Sequence, residues 1–166
     1  MPYASILVLL LALLSGSAWG CSVRTVTTGS GAKEGQQVIH ARVVGGTGGA
    51  RLVLVPVYIQ SHGPYDFALD TGAARSLVDT RIANQLRLPS TGTEQAVTGI
   101  SGTSEATRVR VSSWRVDSVE LPPTTILSLR LPAGGGPTLD GLLGSDMLSR
   151  FQIVTVNYPA QTVTLR

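Results

Sequence analysis

The chain has a single cysteine, Cys21, among its 166 residues, so no disulfide can form within it. It has two histidines, His40 and His62. Neither has a second ligand at metal-binding spacing, so each reads as a surface or turn histidine and no metal site is expected. Lys33 is the only lysine, and the arginines are scattered singly among few aromatics, which make up 5% of the chain. A net charge of +3 spread in this way forms no basic run, so no nucleic-acid partner is expected. No glycine-rich phosphate loop with its lysine is present. Gly141 to Met147 contains a serine but not the Gly-x-Ser-x-Gly elbow of serine hydrolases. Nothing in the sequence asks for a cofactor. Chemistry, if there is any, falls to the carboxylates.

The N-terminus reads as a leader. Ile6 to Leu14 is uninterrupted apolar sequence, too short to span a bilayer comfortably but the right length for a signal-peptide core. Ala18 and Gly20 place small residues at −3 and −1 relative to Cys21, so residues 1–20 are expected to be removed. A lone cysteine directly after a leader looks like a bacterial lipoprotein attachment site. Against that, Trp19 is bulky and no Lys or Arg precedes the apolar core. Lipidation of Cys21 and plain secretion both stay open. The expected location is therefore outside the cytoplasm, periplasmic or on the cell envelope, with possible membrane attachment through Cys21, or secreted. The leader carries no charge, so the net charge belongs to the mature chain. Residues 21–37, rich in Ser, Thr and Gly, cannot bury much apolar surface and read as a flexible tether. Residues 38–166 suffice for one domain of ordinary size.

That domain reads as mainly β. Val38 to Val44 is a candidate first strand, closed by the Gly45–Gly49 loop. Leu52 to Ile59 is a second, and Ser61-His62-Gly63-Pro64 is turn chemistry leading into a third. Val78, Ile82 and Leu86 recur at i, i+4, i+8 with Pro89 beyond, which predicts a helix over Val78–Leu88. Gln95 to Val111 reads as two strands around the tip Gly99-Ile100-Ser101-Gly102, a glycine-bracketed turn suited to a mobile hairpin or an unremarkable surface one. Trp114–Leu121 and Thr125–Leu131 are further strands with Pro122-Pro123 between them. Pro132–Pro137 is a Gly-Pro loop, and Phe151–Asn157 with Thr162–Arg166 forms a closing hairpin.

The run Tyr65-Asp66-Phe67-Ala68-Leu69-Asp70-Thr71-Gly72-Ala73 is the most informative stretch. An apolar, strand-like approach ends at an acidic residue followed at once by Thr and Gly, so Asp70 should sit where a buried strand becomes a tight turn. A carboxylate at the mouth of a hydrophobic strand is partly desolvated, and desolvation raises its pKa toward acid–base use. Asp, Thr and Gly are also ordinary turn residues. The companion motif lies downstream, in Leu139-Asp140-Gly141-Leu142-Leu143-Gly144-Ser145-Asp146-Met147-Leu148.

Together, and in this order, the two motifs resemble those of the retropepsin-like aspartic peptidases, particularly bacterial single-domain members, over about Arg51 to Arg166. The resemblance implies an acid-protease β-barrel, closed or partly open, with one or two short helices. It implies that Asp70 is catalytic, that Thr71 braces paired loops across a two-fold axis, that Gly72 lets substrate backbone pass close, and that Ala73 supports the active site. Leu142 and Leu143 would thread behind that turn, with Gly144 permitting a backbone approach that a Cβ would block. The hairpin tip Gly99–Gly102 would be a flap over substrate.

Aspartic-peptidase chemistry needs two carboxylates, and the chain has one Asp-Thr-Gly. Asp140 precedes a Gly without the intervening Thr or Ser, and Asp146 reads as a helix start. The second carboxylate is therefore expected from a second copy, in a homodimer. Retroviral relatives carry acidic residues where this chain has Ala74-Arg75, so Arg75 is a candidate specificity residue; its competing reading is a surface pair with Asp79. The expected activity is endopeptidase cleavage of a peptide or protein substrate. The alternative is a non-catalytic, lipid-anchored binding or scaffold module on the same fold.

Overall fold

Strand-forming residues dominate from Gln37 onward, and the computed structural model resolves them into thirteen strands and two short helices. It describes residues 35–45, 49, 51–99, 102–131 and 138–166, with backbone alone over 93–104. The expected leader, Cys21, the hairpin-tip residues Ile100 and Ser101 expected in a flap, and the Pro132–Pro137 loop lie outside the described residues.

The expected first strand is two. β1 (Gln37–His40) and β2 (Arg42–Gly45) belong to different sheets: β1 pairs with β13 (Thr162–Leu165) and β2 with β3 (Arg51–Ile59). The chain changes sheets at Ala41, whose N–H donates to the Gln161 carbonyl at 2.8 Å. The pattern of apolar residues carries no mark of that switch. β3 turns into β4 (His62–Leu69) through Gln60 and Ser61, both at positive φ (49° and 66°), the geometry that tight hairpins use. The turn thus lies before His62, not over Ser61–Pro64.

β4 is the strand that delivers Asp70. It is flanked by antiparallel β3 and by parallel β11 (Gly141–Leu143). β11 lies between β4 and β5 (Leu77–Asp79). Beyond β5 come β10 (Thr124–Leu129), β7 (Gly102–Val111) and β6 (Ser90–Gly99). On the far side of β3 a small hairpin, β8 (Trp114–Val116) with β9 (Val119–Leu121), completes the large sheet. That sheet is an open path rather than a closed barrel, though mainly β as expected. β12 (Val154–Asn157) and β1 flank β13 in a separate three-stranded sheet.

The expected helix over Val78–Leu88 is shorter. α1 spans Thr80–Gln85, while Val78 lies in β5, paired with both β10 and β11. Leu86 is its C-cap, and Arg87 at φ 51° ends it. Val78, Ile82 and Leu86 are all buried in one core, so the spacing reported a shared burial that strand and helix satisfy equally. Asp79 is the N-cap of α1, its carboxylate accepting from the Arg81 N–H at 2.7 Å.

Cross-strand register sorts the sheet into two faces, because opposite partners share a face. One row runs Val55, Phe67, Gly141, Val78 and Ser128. This is the main core; a Cβ on Gly141 would lie 2.4 Å from the Phe67 ring, so glycine there makes room for the aromatic. The other row runs Leu54, Ala68, Leu142, Leu77 and Leu127. Within it Leu77 and Leu142 are only half-buried.

Candidate active site

β4 ends at Leu69, and the Asp70 N–H continues its ladder by donating to the Leu143 carbonyl at 3.0 Å. The chain then folds back on the Asp70 carboxylate. Oδ1 accepts from the Gly72 N–H at 2.9 Å and the Ala73 N–H at 3.2 Å, and the Ala73 N–H also reaches the Asp70 carbonyl at 3.3 Å. This is the turn that Asp builds by binding its own downstream backbone. It orients the carboxylate through one oxygen. Among the described residues, Oδ2 accepts from nothing.

Thr71 and Gly72 are exposed and Ala73 half-buried. A Cβ on Gly72 would lie 3.2 Å from Asp70 Oδ1, so the glycine keeps that oxygen uncrowded. Asp70 itself is exposed. The desolvation expected from its apolar approach is thus not provided by a single chain: the strand behind it is buried, but the carboxylate emerges from the edge.

The second motif sits where the sequence places it. Leu142 and Leu143 pair in parallel with Ala68 and Leu69, and Gly144 caps α2 (Ser145–Leu148). A Cβ on Gly144 would lie 2.6 Å from the Arg75 carbonyl carbon and 2.8 Å from the Ala73 and Arg75 oxygens. No real Cβ tolerates those distances. The Ser145 N–H donates to the Ala73 carbonyl at 2.7 Å, so β11 and α2 grip the Asp70 loop at both ends.

Two residues escaped the sequence reading. Ser76, wholly buried, accepts the Gly144 N–H on its Oγ at 3.0 Å. Its own Oγ–H and N–H donate to Asp146 Oδ1 at 2.7 and 2.9 Å. Asp146 does lie in the first turn of α2, but its carboxylate serves the other motif. A signal existed: a serine entering a buried strand needs a polar partner.

Asp79 and Asp140 are taken up elsewhere. Asp79 Oδ1 accepts the Arg81 Nε–H at 2.9 Å and Oδ2 accepts the Leu131 N–H at 2.9 Å. Burial works to raise its pKa, but the hydrogen bonds from Leu131 and Arg81 and the Arg81 charge outweigh it and hold the carboxyl below its ordinary value. Asp140 Oδ2 accepts the Asp66 N–H at 3.0 Å, and Oδ1 lies 3.6 Å from Arg81 Nη2. Tyr65, in the neighbouring core, has its phenol pushed up by burial and then by the Asp140 charge. Arg75 is exposed and its side chain has no partner among the described residues; the pairing with Asp79 does not form, because Arg81 occupies that carboxylate. His40 and His62 are exposed, the latter 2.9 Å from the Gln60 carbonyl through Nδ1.

The hairpin of β6 and β7 pairs through to Gly99 and Gly102, with register shifts between Ser90 and Gly92 and between Thr93 and Ala96. Such bulges bend and twist a ribbon away from a flat sheet.

A family model for aspartyl proteases matches residues 55–147, a stretch that contains both the Asp70 loop and Leu142-Leu143-Gly144. No functionally curated protein matches the sequence significantly. Among solved structures, the chain is similar to a retropepsin-like aspartic protease from Rickettsia conorii, at 18% identity and a TM-score of 0.51, over 78% of this chain and 89% of that one. It is also similar to the retroviral protease-like domain of Ddi1 from Leishmania major, at 18% identity and a TM-score of 0.49, over 69% and 87% of the two chains. For EIAV protease complexed with the inhibitor HBY-793 the figures are 22%, 0.44, 60% and 85%.

Proposed function

Since this chain belongs to the aspartyl protease family and has the retropepsin-like fold, we propose that it is an exported endopeptidase working as a homodimer, with Asp70 of each copy as the catalytic pair. The observation that carries the reading is the state of the carboxylates. Asp66, Asp79, Asp140 and Asp146 each have other partners. Among the described residues, Asp70 is the carboxylate that its own loop's N–H groups aim through one oxygen while the other accepts from nothing, at the exposed end of a strand that runs through the core. One such group is half of the machinery, and a two-fold axis past the Asp70 loop supplies the rest.

In the pair, two nearby carboxylates share one proton, because a second negative charge so close is costly. The ionised member takes a proton from water as that water attacks the scissile carbonyl, while the protonated member donates to the carbonyl oxygen. The Gly72 and Ala73 N–H groups keep one oxygen of each carboxylate aimed, which favours the reaction by preorganisation. Thr71 braces the two loops across the axis. The substrate lies extended, held by strand-like backbone bonds under the Gly99–Gly102 hairpin. Leu142 and Leu77, both half-buried, share the Ala68 face of the sheet, and their apolar edges would suit aliphatic side chains flanking the scissile bond. Export rests on the leader 1–20, with the mature chain starting at a lipidated or free Cys21, distinguishable by intact mass of membrane and soluble fractions.

The test is dilution and subunit mixing on a peptide library at several pH values. Specific activity should fall as dimers dissociate, and excess Asp70→Asn chains should poison wild type wherever subunits exchange. A monomer that cleaves at undiminished rate refutes the shared site. A folded dimer that binds peptides without cleaving them supports a scaffold instead.

A further inference from the structure

We propose that Ser76 and Asp146 are positioning residues, a buried polar clasp that sets the placement of the Asp70 carboxylate without touching substrate; this rests on the reading of Asp70 as the catalytic group. The clasp closes a circuit between the two motifs. Asp70 starts a loop that leaves β4 and re-enters the sheet at β5, and Ser76 is the last residue before re-entry. From there a single carboxylate oxygen, Asp146 Oδ1, receives both the backbone N–H and the hydroxyl of Ser76. The Ser76 oxygen, having given its proton to Asp146, has its acceptor side turned to the Gly144 N–H. The relay therefore has one direction, Gly144 N–H to Ser76 Oγ–H to Asp146 Oδ1, and every member is satisfied.

Three further constraints bear on the same loop. The Asp70 N–H is tied to Leu143, the Ala73 carbonyl to Ser145, and the close approach of Gly144 leaves no slack behind Ala73 and Arg75. Without the clasp, the exit of the loop keeps only the bond from the Leu127 N–H to the Ser76 carbonyl, at 3.1 Å, and the close contact at Gly144, and every tie to the Asp146 carboxylate is lost. Gly72 and Ala73, whose N–H groups aim the Asp70 carboxylate, are inside that segment. Hydrogen bonds to an ionised acceptor are shorter and about twice as strong as neutral ones, so a carboxylate at position 146 fixes the loop better than an amide.

The experiment compares Asp146→Asn and Asp146→Leu in the full-length protein, with Asp70→Asn as the control for the catalytic assignment. Asp146→Asn keeps an oxygen for Ser76, whereas Asp146→Leu keeps the volume and removes the acceptor. Loop misplacement of even about 1 Å costs on the order of a hundredfold in turnover. The expected result is that Asp146→Leu loses about that factor in kcat with KM little changed, in a protein that still folds and dimerises, and that Asp146→Asn recovers about tenfold of it. Wild-type kcat in folded Asp146→Leu, or equal losses in the two variants, overturns the proposal. Amide hydrogen exchange gives a reading independent of cleavage. Gly72 and Ala73 should lose protection in Asp146→Leu and largely keep it in Asp146→Asn, and unchanged protection in both overturns the clasp. If Asp70→Asn retains full activity, the catalytic assignment fails, while the exchange measurement still decides whether the clasp holds the loop. Should Asp146→Leu not fold, Ser76→Ala carries the same comparison, expected to lie between the two.

Discussion

Asp70 and Asp79 stand at the two ends of one short segment, and their carboxylates have opposite fates. Asp79 is buried, and both its oxygens accept from Arg81 or Leu131. It caps α1 and ties the end of β10 to the start of the helix. Asp70 is exposed, with one oxygen aimed by Gly72 and Ala73 and the other unengaged among the described residues. A carboxylate whose two oxygens are both engaged holds structure. One that is oriented but incomplete can do chemistry. Neighbouring sequence does not separate the two, since both follow apolar strand residues; the number of donors converging on each does.

Paired substitutions break this comparison most sharply. Asp70→Asn should lower cleavage by about a thousandfold, the scale of general acid–base contributions, while urea unfolding stays close to wild type. Asp79→Ala should do the reverse. It leaves the Leu131 and Arg81 N–H groups without an acceptor, so stability should fall by about 3 kcal/mol, and cleavage per folded molecule should be retained. Similar stability losses in both variants would erase the distinction.

A smaller effect tests the packing that serves Asp70. Gly144→Ala forces a Cβ against the Ala73 and Arg75 backbone, which should cost about 2 kcal/mol and reduce activity as well, because the displaced backbone is the Asp70 loop. Thermal melts and turnover measured on the same preparation check both halves.

Acid titration sharpens the Asp79 side. Its folded-state pKa lies below the ordinary value, so between the two values the unfolded chain binds the extra proton. The stabilisation is therefore present above about pH 4 and is lost as pH falls through the folded value. Stability against pH should show a steeper acid limb in wild type than in Asp79→Asn, measured by urea midpoints.

The smallest effect belongs to Arg75. Its guanidinium is exposed beside the Asp70 loop and unpaired among the described residues, so it should favour acidic substrate side chains. Arg75→Ala should lose preference in a Glu-to-Gln substrate pair while keeping its rate on neutral peptides. An unchanged Glu/Gln ratio would make the residue merely solvated.

The legible parts of this molecule are those in which local chemistry and fold agree. Asp70-Thr71-Gly72 has the composition of a strand-end turn and is one, and Leu142-Leu143-Gly144 reads as a buried strand leaving through a close contact and is that. The illegible parts depend on distant partners. Nothing local at Ala41 announces that the chain changes sheets, because the reason is a carbonyl at Gln161. Val78 matches a helical repeat because burial is all the repeat records, and its strand partners come from β10 and β11. Ser76 and Asp146 look like a turn residue and a helix start, and only the fold brings them into contact.

The pairing of β1 with β13 places Gln37 opposite Leu165, near the two extremes of the described residues. That ladder cannot form until the last strand has been synthesised. During translation β1 waits for this partner, since among the described residues its neighbour in the sheet is β13, far downstream in the chain. Closing so long a loop costs entropy before any contact offsets it, and non-local pairings of this kind slow folding. The three-stranded sheet is thus the natural candidate for the final event of folding, and an interrupted chain would leave Ile39 without the β13 partner Val163 that covers it in the finished sheet.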